Sequence, residues 1–583
     1  MVLAQRLVTR AVRTRPFTTA STSRGLQPWI NTRCRPTTIG TRSLRTSSST
    51  SNSARANPNN SEGTSEGAST STQRLQRLAL VTGAAGLLLG MVAASRNTAQ
   101  LDSKKDDEAE SNPNTPKLIP YSEVQKHTTR DSLWVIIDGQ VYDATCIVDT
   151  HPGGTAVLLK NSGKDATKAF VHIHPPGTLS MLPPEAHVGP VDPETLPKQS
   201  KELTEEEKRI AKARANLPPP EAALNLNDIA KFAEEVLSTT AWAYYRSAGD
   251  DNCTFDENSN AFKRFWFRPR VLNKVSQVST ATSMIGQPSS LPIFVAPAAL
   301  ARLGHPDGEM NLVRAAGSEQ IPLGMSINAS CSIDEVMSAR EHDQQPIFFQ
   351  LYMNRDRAAS EALIKRIERE GFKALILTVD SACPGKRELD QRAKGDFSGP
   401  ANNTKASENK GLGVAHAISG YQDPDVCWDD IAWIRSLTKL PLVIKGIQCV
   451  EDAEKAFKYG AQGIIISNHG GRSLDFAPAP MTILHELHKR RPDIIKKKEV
   501  YIDGGVTRGT DVLKALCLGA RGVGLGRAFL YANGVWGEAG ARRVVQIMRE
   551  EIETGMRLLG VTSIDQLNPS LVRYVDELPS AKL

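Results

Sequence analysis

Apolar runs of five to eight residues, each ending in small or polar residues, recur through the second half of the chain with helix-period stretches between them. They lie at 292–299, 321–326, 346–352, 374–380, 441–446, 463–468, 499–505 and 522–526. Such runs read as strands buried on both faces, and eight of them alternating with helices predict an α/β fold, a (β/α)8 TIM barrel, over residues 221–575. Ahead of it, over 115–192, the pattern differs. A helix-start signal at Ser122 precedes two apolar runs within Leu133–Tyr142 that Asp138-Gly139 joins, the strongest short hairpin signal. This predicts a small, separate α+β domain.

The remaining stretches are punctuation. Residues 193–220 are rich in Pro, Glu and Lys, with a charged helical patch from Leu203 to Ala215, and read as a hinge. Residues 388–419 are polar and without periodicity, and read as a mobile surface loop. Residues 1–77 hold arginines from Arg6 to Arg55 but no acidic residue before Glu62, the composition of a mitochondrial presequence and disordered spacer. Residues 78–94 are apolar and barely long enough to span a bilayer, as a sorting signal or an inner-membrane tether. Such a two-part leader points to the intermembrane space. It also accounts for the net charge of +7, so no nucleic-acid partner is expected. The eight cysteines show no C-x-x-C pair and no disulfide-like spacing.

Candidate chemistry falls at the ends of the runs. Ser326, Gln350, Tyr352, Thr378, Asp380, Lys445, His469 and Asp503 all follow or close an apolar run, where barrel enzymes place their reactive groups. Gly463 to Arg472 is the key stretch: a β-branched run delivers an imidazole, His469, and a guanidinium, Arg472. A 2-hydroxy acid needs a base for its proton and a cation for its carboxylate. Standing alone, Asn468-His-Gly-Gly471 would read as a turn and Arg472 as a solvated charge. Asp503-Gly-Gly-Val-Thr-Arg-Gly509 and Gly524-Leu-Gly-Arg527 are Gly-rich turns with an arginine each, the material of a phosphate site. In the smaller domain, His151-Pro-Gly-Gly and Val171-His-Ile-His174 suggest a pair of axial ligands.

On its hairpin, His-Pro-Gly-Gly loop and second histidine, the smaller domain resembles the cytochrome b5 family. By that family's spacing the haem b ligands are His151 and His174, with His172 the other candidate for the second position. With both axial positions filled, the domain is expected to carry electrons. From 225 to 567 the chain resembles the FMN-dependent 2-hydroxy-acid oxidase and dehydrogenase family. The resemblance implies His469 as the base paired with Asp380, Arg472 and Arg387 on the substrate carboxylate, and Tyr244 and Tyr352 on the substrate. It implies Ser326, Gln350, Thr378 and Lys445 around the FMN ring and ribityl chain, with Asp503, Gly504, Gly505, Gly526 and Arg527 toward ribityl and phosphate. The implied activity is oxidation of an L-2-hydroxy acid such as L-lactate, with electrons leaving through haem to cytochrome c, in a homotetramer. An oxidase that uses oxygen, or a haem carrier on an inactive barrel, are the alternatives. Asn328 departs from the family's lactate pattern, which has an apolar residue there, so a polar amide is expected in the pocket wall. Thr507 likewise stands where an arginine is usual.

Overall fold

The computed structural model describes residues 118–149, 151, 155–171, 174, 178–197, 203–394 and 414–576. Residues 1–77, expected as a presequence and spacer, the apolar segment 78–94 and His172 lie outside the described residues.

In the smaller domain, β1 (Thr128–Thr129), β2 (Ser132–Ile137), β3 (Gln140–Asp143) and β4 (His187–Pro190) form one antiparallel sheet in that order. The predicted turn is present: Asp138 and Gly139 both have positive φ, 52° and 74°, as a two-residue hairpin matched to strand twist requires. The period-2 pattern of β2 divides two small cores. Leu133, Val135 and Ile137 pack with Val148, Leu158 and Ala166 on one face, and Ile136 packs with Val124, Val141 and Val191 on the other. The first helix starts one residue before the expected signal, at Tyr121, behind Pro120.

The expected hinge is partly a docked element. Helix α1 (Glu205–Ala215) is started by a capping box between Thr204 and Glu207. Arg209 donates to the carbonyls of Glu235 (2.6 Å) and Leu237 (2.7 Å), and Arg214 to that of Gly534 (2.9 Å). These are the orphan carbonyls at the ends of α2 (Leu226–Val236) and α5 (Arg527–Trp536), so the linker helix caps two helices of the barrel's shell.

Two shorter helices, α3 (Thr239–Arg246) and α4 (Cys253–Lys263), lead into the barrel. All eight predicted strands are present: β5 (Ile293–Val295), β6 (Leu323–Ser326), β7 (Ile347–Leu351), β8 (Ala374–Thr378), β9 (Leu442–Ile447), β10 (Gly463–Ile466), β11 (Glu499–Asp503) and β12 (Gly522–Leu525). They close into one parallel barrel. Inward residues Phe294, Phe348, Ile376, Val443, Ile465 and Tyr501 fill its interior, joined by Met284 and Ile285 from a hairpin spanning 282–289. Outward residues pack under the helices in a single large core. Burial on both faces is why the strands read as unbroken apolar runs.

Register carries the site. Ser326 pairs with Gln350, Thr378 with Lys445 and Asp503 with Gly524, so the polar strand ends stand at one rim. The region read as a mobile loop starts instead as a helix, Glu388–Lys394, and a second short helix, Val414–Ala417, follows. Buried Asp390 ties the two together by accepting from the backbone N–H groups of Val414 (3.1 Å) and Ala415 (3.0 Å). Polar composition hid this because the helix is held by a carboxylate and not by an apolar stripe. Residues 395–413 lie outside the described residues.

Candidate active site and cofactor pockets

The Asn468-His-Gly-Gly471 stretch is indeed a turn, and the turn is what builds the site. His469, Gly470 and Gly471 all lie in the left-handed region, with φ of 58°, 66° and 75°. A histidine there is strained, and buried Asn468 holds it. Its Oδ1 accepts from Gly471 N–H (3.0 Å) and from Asn258 Nδ2 (2.9 Å), and its Nδ2 donates to Asn258 Oδ1 (2.7 Å) and Pro478 O (3.1 Å).

So held, His469 Nδ1 lies 2.7 Å from Asp380 Oδ1. A carboxylate only accepts, so Nδ1 carries the proton and Nε2 keeps its lone pair, 3.4 Å from the Tyr352 hydroxyl. Burial holds the imidazole below its usual range, helped by the charges of Lys445 and Arg387 and opposed by Asp380. Burial also works against the Asp380 carboxylate, but Lys445 and His469 outweigh it and keep the group well below the usual carboxylate range. The pair therefore rests as neutral imidazole beside carboxylate, the state of a base ready to accept. Buried Lys445 reaches Asp380 and Asp503 at 3.5 Å each and donates to Ser467 Oγ at 2.9 Å.

Two guanidiniums face this base. Arg472 donates through one nitrogen to the carbonyls of Tyr244 and Tyr245, while its buried Nε has no partner. Arg387 is buried and donates to the Arg472 carbonyl at 3.2 Å. Burial, and then Arg472, pull its pKa down. Tyr244 lies under Arg472, the guanidinium carbon 5.6 Å from the ring centre. These residues line one cavity with Ser326, Asn328, Gln350, Tyr352, Thr378 and Lys445.

A second cavity, about 390 Å³ and within the size range of cofactor sites, shares Pro297, Ala298, Lys445, His469 and Arg472 with the first. Its far end is Gly504, Gly505, Thr507, Gly526 and Arg527. At Gly505 (φ 76°) a Cβ would fall 2.2 Å from the Asn258 backbone, so only glycine brings this turn against α4. Gly526 leads into α5 with no side-chain cap, leaving backbone N–H groups open to an anion. Arg527 is held down to about 9 by burial beside Arg472, Arg246 and Arg387, and meanwhile donates to the carbonyls of Tyr245, Ser247 and Gly470.

Unpartnered polar atoms test whether a flavin fits. Gln350 Oε1 accepts from Ser326 Oγ (3.1 Å), yet its buried Nε2 and the Thr378 hydroxyl have no partner. Buried donors without partners beside a Lys445 ammonium suit the carbonyl and nitrogen edge of an isoalloxazine, and the open turns beyond suit its phosphate. In the smaller domain, the ring centres of His151 and His174 are 5.9 Å apart. Two imidazoles bonded to opposite sides of one metal at about 2 Å each have ring centres roughly 6 Å apart, so an iron fits between them. His174 Nδ1 lies 3.1 Å from the Phe170 carbonyl, the kind of backbone hydrogen bond that orients a metal-ligating histidine.

One sequence reading needs correction and another is refined. Arg508, read as a phosphate arginine, pairs instead with Glu551 at 2.8 Å and does not line the cavity. Asn328 lines the substrate cavity as expected, but its Oδ1 is satisfied by the Tyr421 hydroxyl at 2.8 Å. Arg246, Phe255, Asn258 and Ser259 line the larger cavity and were not anticipated. They sit on or beside helices preceding the first strand, where no strand-end pattern marks them.

This arrangement agrees with the comparisons. Residues 233–574 match the FMN-dependent dehydrogenase family, and residues 120–192 the cytochrome b5-like heme/steroid binding domain. The chain belongs to the FMN-dependent dehydrogenase family, is an oxidoreductase, and takes FMN and haem as its cofactors. It is 42% identical over 461 residues to the L-lactate dehydrogenase (cytochrome) of Wickerhamomyces anomalus, covering 79% of each chain. It is 41% identical over 501 residues to the protein of that name from Saccharomyces cerevisiae, covering 83% of this chain and 84% of the other. Among solved structures, a flavocytochrome b2 mutant with pyruvate bound superposes with a TM-score of 0.59 at 43% identity, covering 64% of this chain and 92% of that one.

Proposed function

We propose that this chain oxidises a short L-2-hydroxy acid of the L-lactate kind to the 2-oxo acid in the barrel. The electrons pass through the haem b domain to cytochrome c. Bound FMN supplies the acceptor for the two electrons leaving the substrate's α carbon, and bound haem the one-electron relay onward. The observation that carries this reading is the facing of a neutral His469, hydrogen-bonded to Asp380 at 2.7 Å, by two guanidiniums in one cavity.

In this reading His469 Nε2 takes the substrate proton. Asp380 then faces an imidazolium, and a fixed carboxylate in a buried site stabilises it with no reorganisation. Arg387 and the free Nε of Arg472 hold the carboxylate, and with Tyr244 and Tyr352 they orient the α carbon. Ser326, Gln350, Thr378 and Lys445 would hold the flavin ring. Asp503, Gly504, Gly505, Gly526 and Arg527 would hold the ribityl chain and phosphate, and His151 and His174 would ligate the haem iron.

The names of the relatives support lactate and a cytochrome acceptor. The acid-free, Arg-rich leader supports import to the mitochondrial intermembrane space, with residues 78–94 as sorting signal or tether. A homotetramer completes the proposal. The test is an absorbance record of the purified holoenzyme while L-lactate and other 2-hydroxy acids are added. Flavin bleaching followed by haem reduction, and then reduction of added cytochrome c, is the expected sequence. Bleaching with no haem reduction, and peroxide formed in proportion, would replace the dehydrogenase with an oxidase.

A further inference from the structure

The cavity that holds His469 and the two arginines has a wall that the reaction does not use. It includes Asn328, Ile418 and Gln422. Gln422 is 7% exposed, and its Oε1 is buried with no hydrogen-bond partner. A buried acceptor without a partner, on a residue that lines the substrate cavity, costs stability unless a ligand supplies a donor. Asn328 is complementary. The Tyr421 hydroxyl donates to its Oδ1 at 2.8 Å, which sets the amide plane and turns the Nδ2 donor to the opposite edge. Burial raises the Tyr421 pKa well above the ordinary tyrosine range, so its hydroxyl stays protonated and a donor at working pH. The wall thus presents one acceptor and one donor within a single cavity. A hydroxyl group is the smallest group that answers both, whereas the methyl of lactate answers neither.

We infer that this wall is a hydrogen-bonding subsite, and that the preferred substrate is an L-2,3-dihydroxy acid whose 3-hydroxyl donates to Gln422 Oε1 and accepts from Asn328 Nδ2. The inference rests on the 2-hydroxy-acid reading above and narrows its substrate class. Lactate remains a substrate, because the base, the arginines and the α carbon are common to both acids. Discrimination comes from the bare amide atoms, which lactate leaves unpaired.

The experiment measures flavin reduction in the holoenzyme by L-glycerate and by L-lactate, which differ by that one oxygen. The wild type is expected to favour glycerate by about tenfold or more in efficiency. Gln422→Met keeps the volume and removes the acceptor. It should lower the glycerate to lactate ratio about tenfold, chiefly through weaker binding of glycerate. Asn328→Leu should move the ratio the same way and raise the efficiency for lactate. Equal or greater wild-type efficiency for lactate, or a ratio that neither variant moves while FMN stays bound, overturns the inference and leaves the activity standing. If Gln422→Met loses FMN, the wild-type ratio and Asn328→Leu decide. If neither acid bleaches the flavin, the activity itself falls, and this inference with it.

Discussion

The haem domain and the barrel build their sites in opposite ways. In the small domain two histidines lie 23 positions apart in sequence, from His151 to His174, on either side of short helices. In the proposed function a haem iron would join the two rings, so little else would be needed to hold them. In the barrel the working side chains run from Tyr244 to Arg527, and hydrogen bonds, buried ion pairs and packing hold them in place. The difference follows from core size. A closed sheet buried on both faces can leave Gln350, Thr378, Arg472 and Gln422 with buried unpartnered atoms, because its large core offsets the cost. Two small clusters on a four-stranded sheet leave less margin, and there the ligand supplies more of the order.

The sharpest way to break this comparison is to remove one of the two proposed haem ligands. His151→Ala or His174→Ala should abolish the low-spin haem spectrum entirely and slow cytochrome c reduction, while the hydroxy acid still bleaches the flavin. His172→Ala should keep the haem. A haem spectrum that survives His174→Ala but not His172→Ala would reassign the second ligand.

Next in size is His469→Asn. Losing the base should slow flavin reduction by roughly 100-fold to 10,000-fold with FMN still bound, measured by stopped-flow absorbance. An unchanged rate would remove His469 from the reaction.

A smaller, directional effect separates the partner from the base. His469 has a lowered pKa and acts neutral, so efficiency should hold as pH falls through the ordinary histidine range near 6.5 and decline only below it. Asp380 pulls that pKa upward, so Asp380→Asn should shift the acid limb to lower pH while reducing the plateau rate. An acid limb that stays in place would mean that another group sets it. The same carboxylate has a depressed folded pKa. Its stabilisation is therefore present above its unfolded value of about 3.9 and is lost as pH falls through the folded one.

The smallest effect probes the small domain's backbone. Asp138 sits at φ 52°, and Asp138→Ala should cost about 1 kcal/mol, lowering the melting temperature of the haem domain by several degrees and leaving the barrel transition unmoved. A matching fall in both transitions would show that the two fold as one cooperative unit.

The sequence by itself determined the eight strands, because burial on both faces writes an uninterrupted apolar run for each, and it determined the Asp138-Gly139 hairpin, because few dipeptides tolerate two positive φ angles. It also marked most of the rim, since strand ends announce themselves where apolar runs stop. Tertiary structure alone decided what those residues meet. Only the fold brings Asn258 from a preceding helix against Asn468 to hold the His469 turn, and sends Arg508 outward to Glu551 while Arg527 faces the cavity. Only the fold pairs Asn328 with Tyr421 and leaves Gln422 bare, 93 and 94 positions further along the chain. Periodicity reports which face of an element is buried; which atoms are left without a partner depends on groups distant in sequence, and that is settled by packing.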